Sequence, residues 1–117
     1  MSLIVTNNTM VVEKYQNQDE ILYINTDCLG IFKAARDKIH EGHELLTHPL
    51  AGSVKPGETP YKTIVLGSKK GNLDMNSLFL IEESIMTCEK LKNSIRKIWD
   101  KEILEDFKLI DYSLIFG

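Results

Sequence analysis

Leu78, Ile81, Ile85, Cys88, Leu91, Ile95 and Ile98 recur at spacings of three and four. On an α-helix those spacings place all seven side chains on one stripe. Glu82, Glu83, Glu89, Lys90, Lys92 and Lys97 fall largely elsewhere, and Asp74 or Asn76 offers a side-chain oxygen to cap the start. A helix this long with one apolar face has to bury that face. A sheet face is the fitting cover, and the stripe is long enough to extend into a homodimer contact.

Three short apolar runs supply the sheet. Leu3-Ile4-Val5, closed by Thr6-Asn7-Asn8-Thr9, has the composition of a buried strand, as do Ile21-Leu22-Tyr23-Ile24 and Thr63-Ile64-Val65-Leu66. Strands are therefore expected at 3–6, 21–24 and 63–67. Met10-Val11-Val12 fits a short strand or a helical turn equally well. Cys28, Phe32, Ala35 and Ile39 return to a helical period, with Asp27 as N-cap and Gly42 where a left-handed residue would end the helix, so a helix is expected over about 28–40. Asp100 can cap a further short helix carrying Ile103, Leu104 and Phe107. The run Leu109 to Phe116 is apolar enough that it must dock on the body or on another subunit.

These elements predict a single α/β layered domain over 1–117, with three to four strands and two to three helices, compatible with Rossmann-like layering. If the second and third strands are parallel, the helix between them makes a right-handed crossover. At 117 residues and 43% apolar content, the chain can bury roughly two thirds of its unfolded surface without disulfides or metals. Cys28 and Cys88 form no C-x-x-C pair and sit on apolar helix faces, which predicts buried free thiols. The net charge of −3 provides no basic excess for a phosphate backbone, so nucleic acid is not an expected partner. Met1–Val5 is too short for a signal peptide and no apolar run approaches a membrane span, so a soluble, cytoplasmic protein is expected.

Between the second and third strands lies the chemically densest stretch. His40 to Tyr61 holds all three histidines, all three prolines and three of the seven glycines. His40, His43 and His48 invite a metal reading, although Gly42 breaks the helix between the first two and the H-E-x-x-H spacing is not met. Pro49 stiffens the chain after His48, Gly52 permits close backbone approach, and Ser53 and Lys55 add a hydroxyl and an ammonium. Such a loop can hold a small anion or small acid, and Tyr61 either packs its ring on the sheet edge or places its hydroxyl over the same pocket. The P-loop spacing is missing, no nucleophile–base–acid set is identifiable, and no cofactor is expected; whether the chain is an enzyme stays open.

The run Leu46-Thr47-His48-Pro49-Leu50-Ala51-Gly52-Ser53-Val54-Lys55-Pro56, followed by Thr59-Pro60-Tyr61, resembles the signature of the GrdX family. The resemblance continues upstream through Ala35–His43 and spans most of the chain. Members of that family are encoded alongside the selenium-dependent glycine, sarcosine and betaine reductase systems of amino-acid-fermenting anaerobes. The resemblance implies a cytoplasmic accessory protein in that setting, with glycine reductase components as partners, and carries over neither an activity nor catalytic residues. It directs interest to His48, Gly52, Lys55 and Tyr61. The two readings are thus an interaction protein using the 46–61 loop as its contact surface, and a small-anion binder or minor enzyme using His48, Gly52, Ser53, Lys55 and Tyr61.

Overall fold

The computed structural model describes residues 2–49, 60–91 and 100–116. Strands β1 (Ser2–Thr6), β2 (Glu20–Tyr23) and β3 (Thr63–Gly67) form one sheet in the order β2-β1-β3. Within one or two residues these are the expected strands. β1 runs parallel to β2 in the register Ile4↔Ile21 and Val5↔Leu22, and antiparallel to β3 in the register Ile4↔Val65 and Val5↔Ile64.

Alternation along the strands sends side chains to two separate cores. Leu3, Val5, Ile64 and Leu66 pack with helix α2 (Cys28–His40) and helix α3 (Met75–Leu91). Ile4 and Val65 pack on the opposite face with Val11, Tyr15 and Tyr112. Val11 and Tyr15 belong to helix α1 (Thr9–Tyr15), and Tyr112 to helix α4 (Lys101–Phe116). The result is three layers, with α2 and α3 on one face of the sheet and α1 and α4 on the other.

The stretch Met10-Val11-Val12 resolves as helix α1, which raises the count among the described residues to four helices. Its N-cap is Asn8, whose Oδ1 accepts from the Met10 amide at 3.0 Å. α1 also meets a topological demand, because β1 and β2 are parallel neighbours and such a pair needs a crossover segment rather than a tight turn.

The conditional crossover from β2 through α2 to β3 does not form. β3 is antiparallel to both other strands and is separated from β2 by β1. The parallel crossover is β1–α1–β2 instead. Residues 44–47 add a rudimentary fourth rung outside β3: Leu45 bridges Leu66, the Leu46 amide donates to the Val65 carbonyl at 2.9 Å, and the Gly67 amide to the Glu44 carbonyl at 2.7 Å.

Helix ends follow the expected chemistry. Asp27 accepts from the Gly30 amide at 2.8 Å, Asp74 from the Ser77 amide at 3.1 Å, and Asp100 from the Ile103 amide at 3.0 Å. α2 closes in a Schellman arrangement: the His43 amide donates to the Lys38 carbonyl and the Gly42 amide to the Ile39 carbonyl. Cys28, Phe32, Ala35 and Ile39 are all buried, as are Ile81, Ile85 and Cys88 of the α3 stripe; Ile95 and Ile98 lie outside the described residues. The last helix is longer than the short one expected, because the apolar 109–116 run continues it along α1 and β3. Among the described residues no helix is long and apolar enough to cross a membrane.

Gly42 has φ +107°, and a Cβ there would stand 2.2 Å from the Gly71 carbonyl oxygen. The Gly71 amide in turn donates to the Gly42 carbonyl at 3.0 Å, so this contact joins the end of α2 to the turn after β3. Gly42→Ala is expected to lower the unfolding free energy by about 2–3 kcal/mol. A urea titration checks this: the midpoint should fall with the slope unchanged, and an unshifted midpoint would show that the turn relaxes freely.

Candidate functional site

In open α/β sheets the loops beyond the carboxyl ends of parallel strands form the binding crevice. Here that end lies beyond Thr6 of β1 and Tyr23 of β2. The antiparallel sense of β3 brings its beginning, Pro60–Lys62, to the same end. Residues 44–47, running antiparallel to β3, carry the chain toward that end as well, so both flanks of the 50–59 segment approach it.

Two consecutive asparagines organise this end. Asn7 follows β1 and is 6% exposed. Its Nδ2 donates to the Thr26 carbonyl at 2.7 Å and the Pro60 carbonyl at 2.8 Å, while its Oδ1 accepts from the Lys62 amide at 2.9 Å. One side chain thus fixes the loop after β2 and the lead-in to β3. Asn8 serves the other layer: its Nδ2 donates to the Lys108 carbonyl and to Asp111 Oδ2, both at 2.9 Å, while its Oδ1 caps α1.

Asp111 is the buried carboxylate of this cluster. Thr63 Oγ1 donates to its Oδ2 at 2.7 Å, and Thr63 Oγ1 also lies 2.8 Å from Thr6 Oγ1. Because the Thr63 proton is committed to Asp111, Thr6 is the donor to Thr63, and the Asn8 amide donates to Thr6 Oγ1 at 3.0 Å. The chain of donors converges on one carboxylate oxygen. Burial raises the pKa of Asp111, opposed by the hydrogen bonds from Thr63 and Asn8 and by the Lys62 charge. On the other side of the sheet Lys62 is half-buried, its ammonium 5.9 Å from the Phe32 ring centroid. Burial lowers its pKa, and Cys28 and Asp111 counter that shift.

Of the residues singled out from sequence, His40, His43, His48 and Tyr61 are among those the structure describes. His40 is exposed at the end of α2, whereas His43 is buried with its Nδ1 2.7 Å from the Gly67 carbonyl oxygen. Among the described residues no three His, Cys, Asp or Glu side chains group as a metal centre requires. Tyr61 is half-buried beneath the Lys108 ammonium, 5.7 Å from its ring centroid. Gly52, Ser53 and Lys55 lie outside the described residues.

His48 is exposed at the mouth of a groove of about 430 Å³ along α3, whose walls include Phe79, Glu83, Met86, Thr87 and Lys90. Phe79, Glu83, Met86 and Lys90 are spaced four, three and four apart, one face of the helix turned away from the core. Phe79 is 62% and Met86 58% exposed, and Met75, one turn earlier, is 66% exposed. α3 therefore carries a second, solvent-facing apolar row that sequence reasoning missed, because the core stripe accounted for the helix without it. The Thr6-Asn7-Asn8 cluster was also missed as a site. Its signal was present: polar residues immediately after a buried strand mark a strand's carboxyl end, and Asp111 is a lone acid within an apolar run.

The raised pKa of Asp111 makes a directional prediction. Below the ordinary carboxylate range the group is protonated in both folded and unfolded chains. As pH rises toward the folded value the unfolded chain ionises first, so this residue's contribution to stability is lost across that interval. Asp111→Asn keeps an acceptor for Asn8 and Thr63 and cannot ionise. Its stability relative to the parent should rise with pH, by about 1.4 kcal/mol for each pH unit between the unfolded and folded values, and then level off. Urea unfolding at a series of acidic to neutral pH values measures it; a constant or falling difference would contradict the assignment.

Comparison of the chain with family models gives a match to one described as GrdX-like protein, over residues 3–117. Neither the curated proteins nor the solved structures contain a match.

Proposed function

Since the chain belongs to the GrdX-like protein family, we propose that it is a cytoplasmic accessory protein of glycine, sarcosine and betaine reductase metabolism that works by docking on a reductase component. The family name points to an association with glycine reductase systems. The observation that carries the docking reading is the exposed row Met75, Phe79 and Met86 beside His48. Large apolar side chains grouped along the solvent face of one helix, rimmed by polar residues, are the kind of exposed surface that marks a contact site. Glu83 and Lys90 supply a polar rim of both signs around Phe79 and Met86. In this reading the contact surface is the α3 face together with the 46–61 loop that begins at its edge.

Affinity capture from expressing cells with the tagged full-length chain tests this. Reductase components should co-purify, and Phe79→Glu with Met86→Glu should reduce their recovery roughly tenfold or more, as expected for truncating a central apolar contact. Both side chains are largely exposed, so the variant should unfold at the same temperature as the parent. Recovery of no reductase component by the parent, or equal recovery by the variant, would refute the proposal.

The alternative reading is a small-anion binder using His48, Gly52, Ser53, Lys55 and Tyr61. Its support is topological: the flanks of that segment approach the carboxyl end of the parallel pair β1–β2, where open α/β sheets place ligands. Calorimetric titration with inorganic phosphate and with glycine should then show saturable binding weakened at least about tenfold, or 1.4 kcal/mol, by Lys55→Ala. Absence of heat with both ligands removes this reading.

A further inference from the structure

The residue that leads into β3 is a lysine on a core-facing row. Lys62 lies two residues before Ile64 and four before Leu66, and along extended chain these three side chains share a face. Ile64 and Leu66 are fully buried against α2 and α3. Lys62 continues that row: it is half-buried, and its ammonium stands 5.9 Å from the ring centroid of the fully buried Phe32. Its backbone is held as well. Asn7 Oδ1 accepts from the Lys62 amide at 2.9 Å, and the Asn7 amide donates to the Lys62 carbonyl at 3.5 Å.

The charge on this side chain lacks a close counterpart. Among the described residues Arg36, Lys38, Lys70 and Lys108 each meet a glutamate within 3.3 Å, whereas no oxygen accepts from the Lys62 ammonium. Asp111 attracts it only from the far side of the sheet, where Asn8 and Thr63 engage that carboxylate. The face of Phe32 offsets part of the ammonium's lost hydration but offers no lone pair. Burial accordingly lowers the Lys62 pKa. An oxyanion at this point would restore both the opposite charge and the missing acceptors. The position suits one, because Lys62 lies at the carboxyl end of the parallel pair β1–β2, where open α/β sheets take ligands.

From this placement we propose that Lys62 is the anchoring cation of a subsite for one oxyanion, the carboxylate or phosphate group of a small ligand, at the carboxyl end of the sheet on its α2 side. A lysine binds such a group as a point charge with three rotatable donors, so a planar carboxylate and a tetrahedral phosphate both fit it. The Asn7 clamp fixes where the side chain starts and the Phe32 ring fixes where it ends. The subsite goes beyond the small-anion reading above, since it requires none of His48, Gly52, Ser53, Lys55 and Tyr61. It is also independent of the exposed row on α3.

The experiment titrates the full-length chain with inorganic phosphate and with acetate in low-chloride buffer, by calorimetry and by carbon-detected spectra of chain labelled at lysine Cε. At least one anion should bind saturably, tighter binding of phosphate assigning a phosphoryl group and tighter binding of acetate a carboxylate. Lys62→Met keeps an unbranched apolar chain over Phe32 and removes the charge. It should weaken binding at least about tenfold and unfold at the parent's temperature or above. Lys69→Met, an exposed position at the opposite end of the sheet, should bind as the parent does. In the parent the Lys62 Cε resonance, identified by its absence from Lys62→Met, should shift with the calorimetric midpoint, which a merely structural lysine would not do. Lys55→Ala separates the two anion readings. Binding kept there but lost in Lys62→Met upholds this subsite and removes the loop reading. Binding lost in Lys55→Ala while the Lys62 resonance stays still does the reverse. The proposal is also overturned if neither anion binds, if Lys62→Met binds like the parent, or if Lys69→Met loses as much affinity as Lys62→Met.

Discussion

The middle strand sets the terms for this fold. β1 is paired on both edges and covered on both faces, with Ile4 and Val5 1% and 0% exposed. A five-residue strand in that position must find backbone partners on each side and apolar cover above and below. Its parallel partner β2 obliges the chain to cross one face, and α1 does so. The opposite face is then left to α2 and α3, whose combined apolar stripes cover Leu3, Val5, Ile64 and Leu66. α4 completes the first face by placing Tyr112 against Tyr15, with ring centroids 6.0 Å apart.

The same strand ends in the polar cluster that joins the layers. Beyond Thr6 the backbone leaves the sheet, and its neighbours would be unpaired without the two asparagine side chains. Asn7 satisfies the loops at Thr26, Pro60 and Lys62, whereas Asn8 ties in α4 through Lys108 and Asp111. No buried side-chain nitrogen or oxygen among the described residues lacks a hydrogen-bond partner. Leaving any of these groups unsatisfied would cost about 1–3 kcal/mol, so the cluster holds the carboxyl end of the sheet together as a unit. Asp111 is the member whose ionisation burial opposes, which makes this end of the protein responsive to acid conditions.

The candidate sites were only partly legible in the sequence. His48 was read as chemically interesting because it sits among prolines and glycines, and it does border the α3 groove. His43 looked equally interesting, yet it is a core residue bonded to the Gly67 carbonyl, because the Schellman turn at Gly42 swings it inward. Thr63 and Asp111 are 48 positions apart and meet only because α4 folds back along β3. No local pattern encodes that distance. Cys28 and Cys88 make the same point: each was legible as buried, but that both enter one core cluster depends on how α2 and α3 pack on the sheet.

By itself the sequence determined the elements. Short apolar runs closed by polar residues gave the strands, period-3.6 patterning gave α2 and α3, and Asp27, Asp100 and the pair Asp74 or Asn76 marked the helix starts, of which Asp74 caps α3, because these are interactions among neighbours in the chain. Gly42 was likewise readable, since ending a helix in left-handed backbone is a local demand that glycine meets best. The tertiary structure decided the helical state of Met10–Val12, the antiparallel sense of β3 and the length of α4. A three-residue apolar run has no periodicity of its own, and the sense of β3 follows from its entry at the carboxyl end of β1, opposite Thr6, which no local pattern encodes. The apolar run after Phe107 extends the last helix because α1 and β3 offer it a surface to cover.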